Sequence, residues 1–110
     1  MEDISILIVD DLEVNRLLLY NILCLDYSNI SFAKDGAEAC ALIKKGDYDI
    51  VLMDVNMPIM NGIDATKHIR NLLSTIKQPI IIGVTASVDR EEECLYAGMD
   101  MVIFKPFSIN

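Results

Sequence analysis

Nearly continuous apolar runs set the first limit on what this chain can fold into. Ile4–Val9, Ile50–Met53 and Ile80–Val84 lack the strict alternation of a strand with one wet face. Such runs suit strands covered on both faces, as in a parallel sheet flanked by helices. Ile30–Ala33 and Met101–Phe104 are shorter strand candidates.

Helical patterns fill the gaps. Val14, Leu18, Ile22 and Leu25 recur at helical spacing. A second helix is predicted from Asp35, with Glu38 placed as in a capping box, to Gly46. A third runs from Asp64 to Leu73, with Ala65, Ile69 and Leu72 on one stripe. A fourth begins near Asp89, places Glu92 at its third position and stops at Gly98. Strand and helix in strict succession imply right-handed crossovers and a doubly wound α/β sheet. A chain of 110 residues suits one domain, 1–110, with a single core. A further alternation would put a final helix after Phe104, and the chain stops at Asn110 without one.

Polar residues gather where these strands end. Asp10 and Asp11 follow the first run, Asp54 follows Ile50–Met53, Thr85 follows Ile80–Val84, and Lys105-Pro106 follows Met101–Phe104. In an open parallel sheet, ligands bind outside the carboxyl ends of the strands. Adjacent carboxylates repel unless a cation lies between them, and hard oxygen donors favour Mg²⁺. Read alone, Asp10 and Asp11 also fit a helix N-terminus, Thr85 an ordinary strand residue, and Lys105 a surface lysine. Asp54 shifts the balance, because it ends an apolar strand beside the first one. An aspartate can accept a phosphoryl group when a metal offsets the charge. Thr85 can donate a hydroxyl and Lys105 a mobile point charge to phosphate oxygens. Ala86 leaves space beside Thr85, and Lys105-Pro106 is a candidate cis bond that would aim the lysine. VNMPIMNG reads as a turn set by Pro58 and Gly62, and a backbone carbonyl there, that of Asn56, could complete the metal shell.

The formal net charge of −8 argues against nucleic acid as a direct ligand. No apolar run is long enough to span a bilayer. The acidic start, Met1 to Asp3, lacks the basic flank of a signal peptide. Cys24, Cys40 and Cys94 are far apart and sit in apolar helical patterns, which predicts reduced core thiols and a cytoplasmic location.

Together VDD, MDVNMPIMNG, Thr85-Ala86 and Lys105-Pro106 resemble a receiver (response-regulator) domain of two-component and phosphorelay signalling. The likeness covers essentially the whole chain, and VDDLEVNR with AGMD and KPF looks most like receivers of hybrid sensor histidine kinases. The resemblance implies a flavodoxin-like, five-stranded parallel sheet in the order 2-1-3-4-5. It implies Asp54 as phosphoacceptor, with Asp10, Asp11, Asp54 and the Asn56 carbonyl around Mg²⁺ or Mn²⁺, Asp11 directly and Asp10 largely through water. Lys105 and Thr85 would hold phosphoryl oxygens. Asn56 and Ser87 would tune hydrolysis. The phosphoryl donor would be a phosphohistidine on a histidine kinase or a histidine phosphotransfer protein. The domain would not be an enzyme toward other molecules, catalysing only its own phosphorylation and slow dephosphorylation.

The chain departs from the family pattern in two places. Three residues before the lysine, receivers carry Tyr or Phe, and here Val102 stands there, with Phe104 not an obvious substitute. Without the final helix, apolar side chains of the first and fifth strands are expected to be partly uncovered, which points to self-association, a docked partner or a fragment. Three rivals are weaker on residues. A small phosphohydrolase needs a second acid soon after the nucleophile, and Asn56 stands there. A non-phosphorylated interaction module has no need of the full acidic, hydroxyl and lysine set. A nucleotide-binding domain needs a Gly-rich loop after the first strand. His68, in the third helix pattern, is expected at or near the surface.

Overall fold

The computed structural model describes residues 3–72 and 78–106. Five strands, β1 (Ser5–Val9), β2 (Asn29–Ala33), β3 (Ile50–Asp54), β4 (Ile80–Thr85) and β5 (Met101–Phe104), form one sheet in the order β2-β1-β3-β4-β5. All four pairings are parallel. Among the described residues four α-helices connect them: α1 (Glu13–Leu23), α2 (Gly36–Lys45), α3 (Gly62–Leu72) and α4 (Glu91–Ala97). The predicted third-helix end at Leu73, and Phe107 of the KPF motif, lie outside the described residues.

The period of two along the strands divides the core. Leu7, Val9, Val51, Met53 and Ile81 face α2, α3 and α4, where Ala39, Ile43, Ala65, Ile69 and Cys94 meet them. Ile6, Ile8 and Leu52 face α1 and pack with Leu19, Leu23 and Tyr27. Burying each large side chain contributes about 2 kcal/mol, so the apolar strand runs are the main source of stability.

Local signals explain where the helices begin. The Asp35 side chain accepts from the Glu38 N–H at 2.8 Å, and Glu38 Oε1 accepts from the Lys34 N–H at 2.9 Å. A cap of this kind contributes about 1 kcal/mol. At α3, Asn61 Oδ1 accepts from the Asp64 N–H at 2.9 Å, so the helix opens at Gly62 and not at Asp64. The expected fourth helix splits. Val88–Arg90 forms a 3-10 turn, and the α-helix proper starts at Glu91, with no side-chain cap from Ser87 or Arg90. Gly98, at a φ of 120°, ends it.

The stripe Val14, Leu18, Ile22 and Leu25 is not the buried face of α1, although Ile22 is half-buried. Val14 is 69% exposed and Leu25 is 81% exposed, and Leu25 falls beyond the helix. Leu19 and Leu23 make the contact with the sheet instead. The open face is half where expected: β5 is uncovered and β1 is not. Ile6 and Ile8 of β1 are fully covered by α1, whereas Ile80, Met101 and Ile103 of β4 and β5 stay 40–52% exposed. A cleft of about 170 Å³ lies between α1 and the ends of β4 and β5, lined by Leu18, Leu19, Val84 and Pro106 and by the polar Asp10, Asn15 and Lys105. Cys40 and Cys94 are buried, whereas Cys24 is exposed at the end of α1.

At the starts of β4 and β5 an arginine from α3 joins the pieces. Arg70 Nε donates to the Gly98 carbonyl at 2.9 Å, Nη1 to the Pro79 carbonyl at 2.8 Å and Nη2 to Asp100 Oδ2 at 2.9 Å. That same Asp100 oxygen accepts from the Ile81 N–H at 2.8 Å. The opposite ends of these strands carry the polar residues singled out above.

Candidate functional site

β1 and β3 are neighbours, which brings Asp10, Asp11 and Asp54 together; one carboxylate oxygen from each lies within 4.8 Å of the others. Asp10 and Asp54 are 1% and 3% exposed, and Asp11 is half-buried. The Asp10 carboxylate accepts from the Leu12 N–H at 3.0 Å and from Asn15 Nδ2 at 3.3 Å. Arg16 Nη1 donates to the Asp10 carbonyl at 2.7 Å and fixes the loop that carries Asp11. Sequence reasoning missed Asn15 and Arg16. Side chains in the first turn of a helix lean back toward its N-terminus, and that rule would have found them.

β4 supplies Thr85, fully buried, and β5 leads into Lys105. The Lys105 N–H donates to the Thr85 carbonyl at 2.8 Å, which brings the lysine to the site. Its ammonium lies 3.4 Å from Asp54 Oδ1 and 3.6 Å from Asp10 Oδ2. The Lys105–Pro106 bond is cis. Phe104 lies directly opposite Thr85 in the sheet register, while Val102 packs against the larger core.

Asp54 ends β3 among these charges. Burial and then the Asp10 charge push its pKa up to about 6, against the pull of Lys105 and the Asn56 N–H. Three carboxylates face one ammonium, which leaves two uncompensated negative charges if all are ionised. This hard, anionic oxygen set fits a divalent cation of the Mg²⁺ kind. Asn56 reaches the site through its backbone N–H, 3.4 Å from Asp54 Oδ1, and its side-chain Nδ2 donates to Thr85 Oγ1 at 3.5 Å. The Ser87 N–H also donates to Thr85 Oγ1, at 3.0 Å. Ala86 and Pro106 are exposed beside these groups. Arg90 Nη1 donates to Asn56 Oδ1 at 3.0 Å, a contact that no sequence signal announced. His68 is exposed on α3, away from the cluster.

The arrangement is a buried nucleophilic carboxylate beside a cation-binding acidic pair, with a hydroxyl and an ammonium on its other side. That is the equipment for accepting a phosphoryl group. Residues 6–110 match the family model described as response regulator receiver domain. The sensor histidine kinase RcsC of Escherichia coli is 41% identical over 99% of this chain, and the chain spans 11% of that protein. The receiver domain of Ssk1 from Saccharomyces cerevisiae, crystallised with the histidine phosphotransfer protein Ypd1, superposes with a TM-score of 0.89 at 29% identity. That likeness covers 97% of this chain and 81% of the other. The receiver domain of sensor histidine kinase PA1611 from Pseudomonas aeruginosa, with a magnesium ion in its active-site cleft, gives 0.83 at 33% identity, covering 98% and 89%.

Proposed function

The chain belongs to the response regulator receiver family and is a receiver domain of phosphorelay signalling; from that premise we propose that Asp54 is its phosphoacceptor. The observation that carries this is the convergence of Asp10, Asp11, Asp54, Thr85 and Lys105 at adjoining strand ends.

Asp10, Asp11, Asp54 and the Asn56 carbonyl would hold Mg²⁺ or Mn²⁺. Bound there, the cation would offset negative charge on the phosphoryl oxygens. The residues of the chain do the rest. Without the cation the Asp54 carboxylate is mainly ionised above about pH 6, and a bound cation would favour the ionised, attacking form further. Its oxygen bonds to phosphorus as the bond to the donor imidazole breaks, and the electron pair of that bond returns to the imidazole nitrogen. Lys105 moves its charge from the carboxylates to the incoming oxygens, and Thr85 turns its hydroxyl toward them. The loop after Thr85 follows, which biases the surface of α4 and β5 between two populations. Val102 replaces the aromatic residue at the usual relay position, and Phe104, opposite Thr85, is the nearest aromatic on that strand.

The donor is proposed to be a phosphohistidine on a kinase or a phosphotransfer protein. Support comes from the RcsC relative and from the Ypd1 complex of the Ssk1 receiver. The domain is proposed to catalyse its own phosphorylation and slow dephosphorylation only. A cytoplasmic location is proposed from the free thiols Cys40 and Cys94. Among the described residues no helix is long and apolar enough to cross a membrane. Self-association through the open β4–β5 side is a separate expectation, supported by exposed Met101 and Ile103; sedimentation as a monomer at high concentration would remove it.

The test is intact mass after incubation with acetyl phosphate and Mg²⁺, with EDTA and Asp54→Asn controls. One added phosphoryl group, absent from both controls, is the expected result. No gain in a folded sample would favour an interaction module that keeps the fold without the chemistry.

A further inference from the structure

Arg90 ties the loop after β3 to the segment before α4, and the reaction described above leaves it unused. Its Nη1 donates to Asn56 Oδ1 at 3.0 Å and its Nε to Glu93 Oε1 at 3.1 Å. The amide then donates from Nδ2 to Thr85 Oγ1 at 3.5 Å. A guanidinium only donates, so Asn56 must turn its oxygen to Arg90, which leaves Nδ2 on the threonine side. The line runs from solvent inward. Asn56 is exposed, the Arg90 side chain is 31% exposed, and Thr85 is fully buried. Glu93 holds another edge of the same planar fork, which limits how far the guanidinium can swing.

We propose that Arg90 is a positioning residue that sets the lifetime of the acyl phosphate on Asp54, by holding Asn56 across the mouth of the site on its β3–β4 side. The inference rests on the phosphoacceptor reading. In hydrolysis a water oxygen bonds to phosphorus, the bond to the Asp54 oxygen breaks and its electron pair returns to the carboxylate. Phosphate leaves carrying both water protons. The water must enter in line, opposite the Asp54 oxygen, and therefore through the solvent mouth. An amide held by Arg90 narrows that approach, whether or not Thr85 has turned to the phosphoryl oxygens. A released amide opens it. Arg90 has hydrogen bonds to Asn56 and Glu93 and none to Asp54, so its effect has to pass through Asn56.

The test follows loss of the phosphoryl group by intact mass after acetyl phosphate is removed. It compares wild type, Arg90→Ala, Arg90→Lys, Asn56→Ala and the double variant, each checked for folding by thermal unfolding. Arg90→Ala is expected to shorten the lifetime about fivefold, the scale of one lost hydrogen bond, and Arg90→Lys to restore part of it. On the Asn56→Ala background, adding Arg90→Ala is expected to change nothing further. The Asn56 side-chain amide resonance of the unphosphorylated protein is expected to shift in Arg90→Ala. Equal lifetimes, an undiminished Arg90 effect without Asn56, or an unmoved amide resonance would each overturn the proposal alone. A wild type that takes up no phosphoryl group would overturn the phosphoacceptor reading and this inference with it.

Discussion

Lys105 Nζ lies 3.4 Å from Asp54 Oδ1, closing residues 51 positions apart into one charge pair with a buried carboxylate and a half-buried ammonium. The same ammonium is 3.6 Å from Asp10, so it is the counter-charge for two carboxylates at once. Lys105→Met leaves both without it. In EDTA the variant is expected to lose about 2 kcal/mol of stability at pH 7, because a buried charge is stranded. Added Mg²⁺ should recover most of the loss, whereas phosphoryl uptake should stay depressed at least about tenfold, an ammonium no longer meeting the phosphoryl oxygens. Urea unfolding with and without metal reads the first effect and intact mass the second. An unchanged midpoint in EDTA would sink the argument.

Asp54 makes metal-free stability depend on pH in a direction opposite to most carboxylates. Its folded pKa is raised from 3.8 to about 6. Below 3.8 both states hold the proton, and above about 6 neither does. Between those values the folded state binds more protons than the unfolded chain, so stability falls as pH rises. In EDTA this slope is expected across that window, and Asp54→Asn should flatten it. Denaturation midpoints measured at closely spaced pH values decide it; parallel curves for the two proteins would refute it.

Ile59 is held at a φ of 71° in the turn between β3 and α3. The Met60 N–H donates to the Pro58 carbonyl at 2.8 Å, which makes Ile59 the centre of a tight three-residue turn. A β-branched residue is strained there, and at 85% exposure its side chain gains little from burial. Ile59→Asn is expected to raise stability by about 1 kcal/mol, since Asn tolerates this region. The urea midpoint should rise with an unchanged slope. A lower midpoint would mean that the isoleucine makes up for its strain elsewhere.

Gly62 matters for space. A Cβ there would meet the Asp54 carbonyl oxygen and Met53 Cγ, while the Gly62 N–H donates to the Val55 carbonyl at 3.0 Å. Gly62→Ala is expected to cost about 2–3 kcal/mol by overpacking and to impair phosphoryl uptake by shifting the end of β3. Full uptake at wild-type rate would show that the strand end absorbs the methyl group.

The strand runs and the residues at their ends were readable because burial on both faces and convergence at one sheet edge each leave a mark in the chain. Asp10, Asp11, Asp54, Thr85 and Lys105 meet where the alternation of strands and helices implies. The packed face of α1 was not readable. Its leucines outnumber the positions the sheet can cover, so Val14 and Leu18 mimic a buried stripe while Leu19 and Leu23 fill it. The split of the fourth helix was hidden because acidic residues suit the first turn of either a 3-10 or an α-helix. Arg90 was invisible for a different reason: its partner Asn56 lies 34 positions away, and only the sheet makes them neighbours.

The Arg70 junction fixes one end of the domain by contacts that a reaction at the other end would leave untouched. It rivets α3 to the starts of β4 and β5, whereas Thr85, Lys105 and Arg90 stand at the other end of the same strands. A reed clamped at its base bends most at its tip. A rearrangement begun at the phosphoryl site would swing the upper loops and leave the strand starts still. The domain would therefore speak mainly in one direction: a partner resting on the tips of β4 and β5 receives more of the displacement than one resting against Arg70.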